Sequence, residues 1–98
     1  MPVCLILDFP TLSVDDRDAV ANAINWPDEW QDGCHAHGAG TYDGHLRVVE
    51  LWDSREHWER FLAERLQQGI DDALGDRARP PQITEVDFER FDLPAVRA

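Results

Sequence analysis

Asp43-Gly44 is the dipeptide that most narrows what this chain can become. Asp-Gly favours a two-residue turn with positive φ at both positions. Here, preceded by Thr41-Tyr42, it joins two runs, Gly33 to Gly40 and His45 to Trp52. The spacing predicts a β-hairpin. Its second arm, Leu46-Arg47-Val48-Val49-Glu50-Leu51-Trp52, reads as a strand. The first arm is rich in Gly and Ala, small residues that let another group approach closely. An isolated hairpin is marginal in water, so the rest of the chain must supply further strands and helices.

Upstream, Val3 to Phe9 is a short apolar run closed by Pro10, the length of a buried strand. Ser13, with Asp16 three residues on, makes a capping-box variant. Val14, Val20, Ala23 and Ile24 recur at helical spacing, so a first helix runs to about Asn25 and stops before Pro27. Trp26 and Trp30 fall in the following loop and are expected to pack over the helix end. Downstream, Ser54 caps a second helix, with Trp58, Phe61, Leu62, Leu66, Ile70 and Ala73 along one face to about Leu74. Gly69 marks a point where this helix would divide, and Gly75 ends it. Arg79-Pro80-Pro81 is a rigid connector. Gln82 to Phe91 reads as a fourth strand with Val86 and Phe88 on one face, and a short, loosely held tail follows Asp92.

The order β-α-β-β-α-β predicts an α+β, ferredoxin-like domain: one four-stranded antiparallel sheet with two helices on one face, spanning residues 1–98 as a single unit. The other face of the sheet needs a cover. A chain of 98 residues buries only roughly 60–65 % of its unfolded surface, so a second copy, giving a homodimer, is the expected cover.

Charge and composition narrow the function. Twenty acidic side chains stand against nine basic ones, all Arg, for a formal net charge of −11. Such a surface repels phosphate backbones and anionic lipid, so neither nucleic acid nor membrane is an expected partner, and a substrate should be uncharged or cationic. Two cysteines, Cys4 and Cys34, are too few for a disulfide framework. The N-terminal apolar run lacks basic residues and is interrupted by Asp8, so neither a leader nor a span is expected and a cytoplasmic location is. Four Trp are more than a bare core needs and hint at a pocket or an interface. No G-x-S-x-G elbow, phosphate-binding Gly loop, dinucleotide fingerprint or C-x-x-C occurs, and no cofactor is expected.

Several residues are candidates for chemistry. His35 and His37 stand at i and i+2, where a strand points both imidazoles to one face as two metal ligands would be. A third ligand would have to come from His45 or Glu50, and no metal is expected. His37 is the preferred general base, the alternative being a structural hydrogen bond to a neighbouring strand. Asp8, inside an apolar run, is a second candidate base, or else an end cap for the loop after Pro10. Glu50 either contacts substrate or pairs with Arg47 or a partner-chain Arg, and His35 either contacts substrate or is a solvated or interface residue. Trp52 and Trp58 offer flat walls for a ring, or serve as core.

The segment from Arg47 to Phe61, a strand ending V-x-x-W, then Ser at the helix cap, then an aromatic helix face, resembles the dimeric α/β-barrel superfamily. It is most similar to the antibiotic-biosynthesis-monooxygenase-like branch. Asp32, Gly33, Cys34, His37, Ala39 and Gly40 also match a D-G-C-x-x-H-x-A-G pattern of small actinobacterial-type members. The resemblance implies a homodimer with a cavity between the sheet and the second helix. A polar residue late in strand 1 and the Trp ending strand 3, here Asp8 and Trp52, would look into it. Asp8 stands where Asn is usual, which suits a base better than that branch's oxygenase chemistry. The haem-degrading members carry a His where this chain has Phe61-Leu62-Ala63, so haem is not expected. The function implied is a cofactor-independent enzyme of monooxygenase or cyclase type acting on a small hydrophobic, aromatic or polyketide-like substrate. His37 or Asp8 would take a proton, Trp52 and Trp58 would hold the ring, and Glu50 and His35 would touch it. The alternative is a non-catalytic dimeric small-molecule-binding or stress-associated protein.

Overall fold

The computed structural model describes residues 2–92. It contains β1 (Val3–Phe9), α1 (Val14–Ala23), β2 (Cys34–Tyr42), β3 (His45–Trp52), α2 (Arg55–Phe61), α3 (Gln67–Leu74) and β4 (Gln82–Asp87). The strands form one sheet in the order β2-β3-β1-β4, every neighbouring pair antiparallel. This is the ferredoxin-like arrangement expected from the element order. Among the described residues no helix is long and apolar enough to cross a membrane.

Local chemistry accounts for the element ends. Asp43 (φ 51°) and Gly44 (φ 79°) both adopt the left-handed conformation, the backbone of a tight hairpin turn, so β2 runs on to Tyr42 and the turn holds these two residues alone. Ser13 caps α1 in a complete capping box: its hydroxyl accepts from the Asp16 N–H while the Asp16 carboxylate accepts from the Ser13 N–H. The helix stops at Ala23, slightly before the expected Asn25, which is already left-handed at φ 57°.

The second helix is not divided at Gly69. A π-helical turn, Leu62–Leu66, joins α2 to α3 in one rod, and Gly69 lies buried inside α3. Its role is contact: a Cβ there would come within 2.4 Å of Ile24 Cγ2, so the missing side chain is what lets α3 pack against α1. The fourth strand is shorter than expected. It ends at Asp87, after which the Phe88 N–H donates to the Pro2 carbonyl at 2.9 Å and the Phe88 ring stacks on Phe91. The tail expected after Asp92 falls outside the described residues.

Strand parity decides which side chains can meet, because successive side chains alternate between the two faces. Val3, Leu5 and Leu7 of β1 pair with Trp52, Glu50 and Val48 of β3, and these side chains turn toward the helices. With Leu12, Val20, Trp26, Trp58, Phe61 and Leu74 they make the core, in which Leu5 and Trp52 have no exposed surface. The opposite face carries Cys4, Ile6 and Asp8 beside Leu51, Val49 and Arg47. Among the described residues no helix covers it, and Val49 and Val86 are 40% and 43% exposed there.

Candidate functional site

β2 and β3 set His37 opposite Glu50 on the helix-facing side of the sheet. The two side chains bond directly, His37 Nδ1 to Glu50 Oε2 at 2.8 Å, and Glu50 is only 3% exposed. From α1, Arg17 Nε–H donates to His37 Nε2 at 3.4 Å, a long hydrogen bond. A guanidinium has only donors, so Nε2 must be the accepting nitrogen and the ring proton sits on Nδ1, donated to the carboxylate. The trio therefore fixes one tautomer of His37, with its basic nitrogen turned away from Glu50. The Trp26 ring stands edge-on to His37 at 5.5 Å and packs on Phe61 at 5.4 Å.

These groups border a cavity between the sheet and α1 and α3, walled otherwise by apolar side chains such as Leu7, Val48, Phe61 and Ile70. It leaves about 70 Å³ for the centres of water-sized molecules. At roughly 10–15 Å³ per water on that measure, this is room for a handful of waters or a small ring system. Among the described residues Glu50 Oε1 has no hydrogen-bond partner and is wholly buried, although Oε2 is satisfied.

A second, larger space of about 370 Å³ lies across α3, bounded by Trp58, Ile83 and the connector at Pro80 and Pro81, and shares the walls Leu66 and Ile70 with the first. Its polar lining, Gln67, Asp71 and Arg79, is exposed, whereas the smaller cavity is lined by buried Glu50 and half-buried Asp16, Arg17 and His37. Chemistry rather than size marks the smaller one as the candidate site.

Asp8 does not join it. One residue past Leu7, it points to the open face, where Arg47 donates from Nε to Oδ1 at 2.7 Å and from Nη2 to Oδ2 at 3.1 Å, and His45 Nε2 lies 3.1 Å from Oδ1. The Arg47 hydrogen bonds hold the Asp8 carboxyl below the usual carboxylate range against the opposing effect of burial, with His45 assisting. The Arg47 guanidinium in turn lies 3.6 Å over the Tyr42 ring. So the expectation that Asp8 and Trp52 share a sheet-helix cavity with His37 gives way to two clusters on opposite faces.

The other candidates also separate. A bulge between Cys34 and Ala36 breaks the i, i+2 relation of the two histidines, and His35 pairs with exposed Asp53 outside both cavities. Trp52 is wholly buried against Phe61 and lines neither space, while Trp58 lines only the larger one. Cys34 is buried and its thiol is pushed up to about 12 by burial and by the Glu50 charge, which leaves no thiolate for nucleophilic work near neutrality.

Arg17 and Trp26 are the site residues that sequence reasoning did not single out. Arg17 sits among aspartates in the first turns of α1 and reads as surface charge. Trp26 was expected over a helix end, where it does stack on Trp30 at 4.4 Å, yet its other side walls the cavity.

The molecule is thus a ferredoxin-like α/β domain, and its fold is that of the antibiotic biosynthesis monooxygenase-like proteins. Rv0793 from Mycobacterium tuberculosis superposes with a TM-score of 0.66 at 20% identity, over 97% of this chain and 100% of its own. A candidate antibiotic biosynthesis monooxygenase from Chloroflexus aurantiacus J-10-fl gives 0.64 at 18% identity, over 94% and 97%. A dimeric protein of ferredoxin-like fold and unknown function from Bacteroides fragilis gives 0.62 at 11% identity, over 89% and 96%. No family model matches the chain, and no curated protein does.

Proposed function

We propose that this protein is a cofactor-independent enzyme of the monooxygenase or cyclase type that deprotonates a small apolar ring ketone in the His37 cavity. The observation that carries the reading is the buried Glu50–His37 pair, which fixes the Nδ1–H tautomer and leaves Nε2 as the base beside an apolar cavity. Arg17 must release Nε2 for the proton to arrive there, and its 3.4 Å contact is long enough to yield readily. The same guanidinium then pairs with the oxygen on which the substrate's electron pair collects. The resulting enolate carbon has two outcomes. It reduces dioxygen, so that CH2 plus O2 becomes C=O plus water, or it attacks a carbonyl of the same molecule and closes a ring. Trp26 and Phe61 take the ring-holding place expected of Trp52 and Trp58.

The reading includes a homodimer formed through the open sheet face. That face presents Ile6, Val49, Leu51 and Val86, and its Asp8 and Arg47 charges cancel, so it is where two chains of net charge −11 can approach.

Deuterium exchange tests the chemistry without deciding between the two outcomes. The wild-type protein should speed incorporation of deuterium into the acidic CH2 of 2-tetralone in D2O, read by NMR, and H37N should lose about 10²–10⁴-fold of that rate. Equal exchange by H37N and wild type, or none above buffer by wild type, sinks the reading.

A further inference from the structure

Residues 24–31, on the way from α1 to β2, carry the aromatic wall of the cavity. Trp26 is buried among them, packed on Phe61, edge-on to His37 and stacked on Trp30. The segment is otherwise bonded only to itself and to its chain neighbours. The Trp26 N–H donates to the Ala21 carbonyl at 2.9 Å, the Glu29 N–H to the Asn25 carbonyl at 2.8 Å, and the Trp30 indole N–H to the Cys34 carbonyl at 2.8 Å. Among the described residues one side chain hydrogen-bonds to it from a distant part of the chain. Arg65, in the π-helical turn, donates from Nη2 to the Ile24 and Glu29 carbonyls, each at 2.8 Å, and from Nη1 to Gln31 Oε1 at 3.0 Å. We infer that Arg65 is the positioning residue for the Trp26 wall: it ties residues 24–31 to the second helix and so sets how tightly the His37 cavity holds a ring.

The chemistry of the group suits that task. A guanidinium carries its donors in a rigid planar fork, so two carbonyls and an amide oxygen bonded to one such group are fixed relative to each other. Ile24 caps the carbonyl end of α1, and the last turn of α1 has no basic residue, so Arg65 brings from another element the cation that this end favours. Its Cζ lies 5.5 Å from the centre of the Phe61 ring, the same ring that Trp26 packs against. The Glu29 carboxylate stands 3.9 Å off on a side chain that is 68% exposed, so the hold comes from the hydrogen bonds rather than from that ion pair. Arg65 neither lines the cavity nor touches His37, and its loss should weaken ring binding while leaving the Glu50–His37 pair in place.

The inference rests on the cavity proposed above, and motion and binding rather than turnover test it. R65M keeps a stem over Phe61 and removes every donor. Amide hydrogen exchange read by NMR should be at least ~10-fold faster than in wild type at Trp26 and Glu29, the scale for losing hydrogen bonds from a charged donor, and within about 3-fold at Leu5 and Val48 in the sheet. Titrated with 2-tetralone, R65M should bind at least ~10-fold more weakly than wild type, and H37N within about 3-fold of it. Equal acceleration at all four amides would give Arg65 a role in global stability alone and overturn the inference. So would a folded R65M that binds 2-tetralone as wild type does, or a wild type that does not bind it. If R65M does not fold, R65K, which replaces the planar fork by a single ammonium, carries both comparisons with changes of at least ~3-fold expected, and wild-type behaviour by R65K overturns the inference. A wild type that binds 2-tetralone without speeding its deuterium exchange sinks the proposed reaction and leaves Arg65 its role. Undiminished binding by R65M beside full exchange by wild type does the reverse.

Discussion

Replacing Gly69 by Ala puts the packing of the two helices over the cavity to a quantitative test. The added Cβ would lie 2.4 Å from Ile24 Cγ2 and 3.6 Å from Val20 Cγ1, while carbon atoms rest at about 3.5–4.0 Å. Something must move by roughly 1 Å, and Ile24 Cγ2 is a branch close to the backbone rather than the end of a flexible chain. Overpacking of this kind costs about 1–3 kcal/mol. Against it stands the gain of replacing Gly by Ala inside a helix, about 1 kcal/mol. The balance is a loss of about 1 kcal/mol, or roughly 4–8 °C in Tm for a domain near this size. Urea unfolding followed by circular dichroism, at one fixed protein concentration because a dimer's stability depends on it, reads the change directly. The mechanism predicts a partner effect too. I24A removes Cγ2, so it should cost at least about 1 kcal/mol less in the Gly69→Ala background than alone. A Gly69→Ala protein as stable as wild type, or additivity of the two changes within about 0.5 kcal/mol, refutes the close-approach argument.

Two further outcomes follow from the open face. Because the Arg47 hydrogen bonds lower the Asp8 carboxyl in the folded protein, its ionised form contributes stability above the unfolded value of about 3.9, and that contribution is lost as pH falls through the lower folded value. D8N should therefore melt below wild type at pH 7, with the gap constant down to about pH 5 and closing below about pH 4. A gap unchanged at pH 3 would show that the carboxyl ionisation is not its source. V49D, which puts a carboxylate at the centre of the uncovered apolar patch, should leave the monomer folded and abolish the dimer in sedimentation equilibrium. A V49D dimer, or a wild-type protein that stays monomeric at high concentration, dismisses that face as an interface.

How far the fold was legible follows from which signals are local. Val3–Phe9 and His45–Trp52 emerge with the bounds read from sequence, because a proline or a turn dipeptide closes each run. The Ser13 box and the Asp43-Gly44 turn likewise act within four residues. The second helix shows the opposite case. Gly69 suggests a break when only helix propensity is weighed, whereas its reason for being Gly is Ile24, which caps the C-terminal end of α1, far away in sequence. The π turn at Leu62–Leu66 leaves no mark in the residue pattern that a regular helix would lack. β4 ends at Asp87 opposite Val3, the first residue of β1, with the Phe88 N–H on the Pro2 carbonyl just beyond, so its length is set by where a distant strand begins.

The candidate site turns on parity. The resemblance to the monooxygenase-like branch is what joined Asp8 to Trp52, and a near-continuous apolar run hides the alternation of β1 that parts them. Counting by twos separates them: Leu5 and Leu7 share a face with Glu50 and Val48, and Asp8 shares the other with Arg47, its direct cross-strand neighbour. The same count, applied to β3 alone, puts Glu50 with Leu46, Val48 and Trp52 on the buried side, where a carboxylate requires a partner. What parity cannot supply is the identity of that partner, because His37 reaches Glu50 only through the register of β2, and a bulge at the start of β2 sets that register. Arg17 is further still from being readable, since its bond to His37 depends on how α1 lies across the sheet. A buried acid on the core face of a strand was therefore the strongest single indication available.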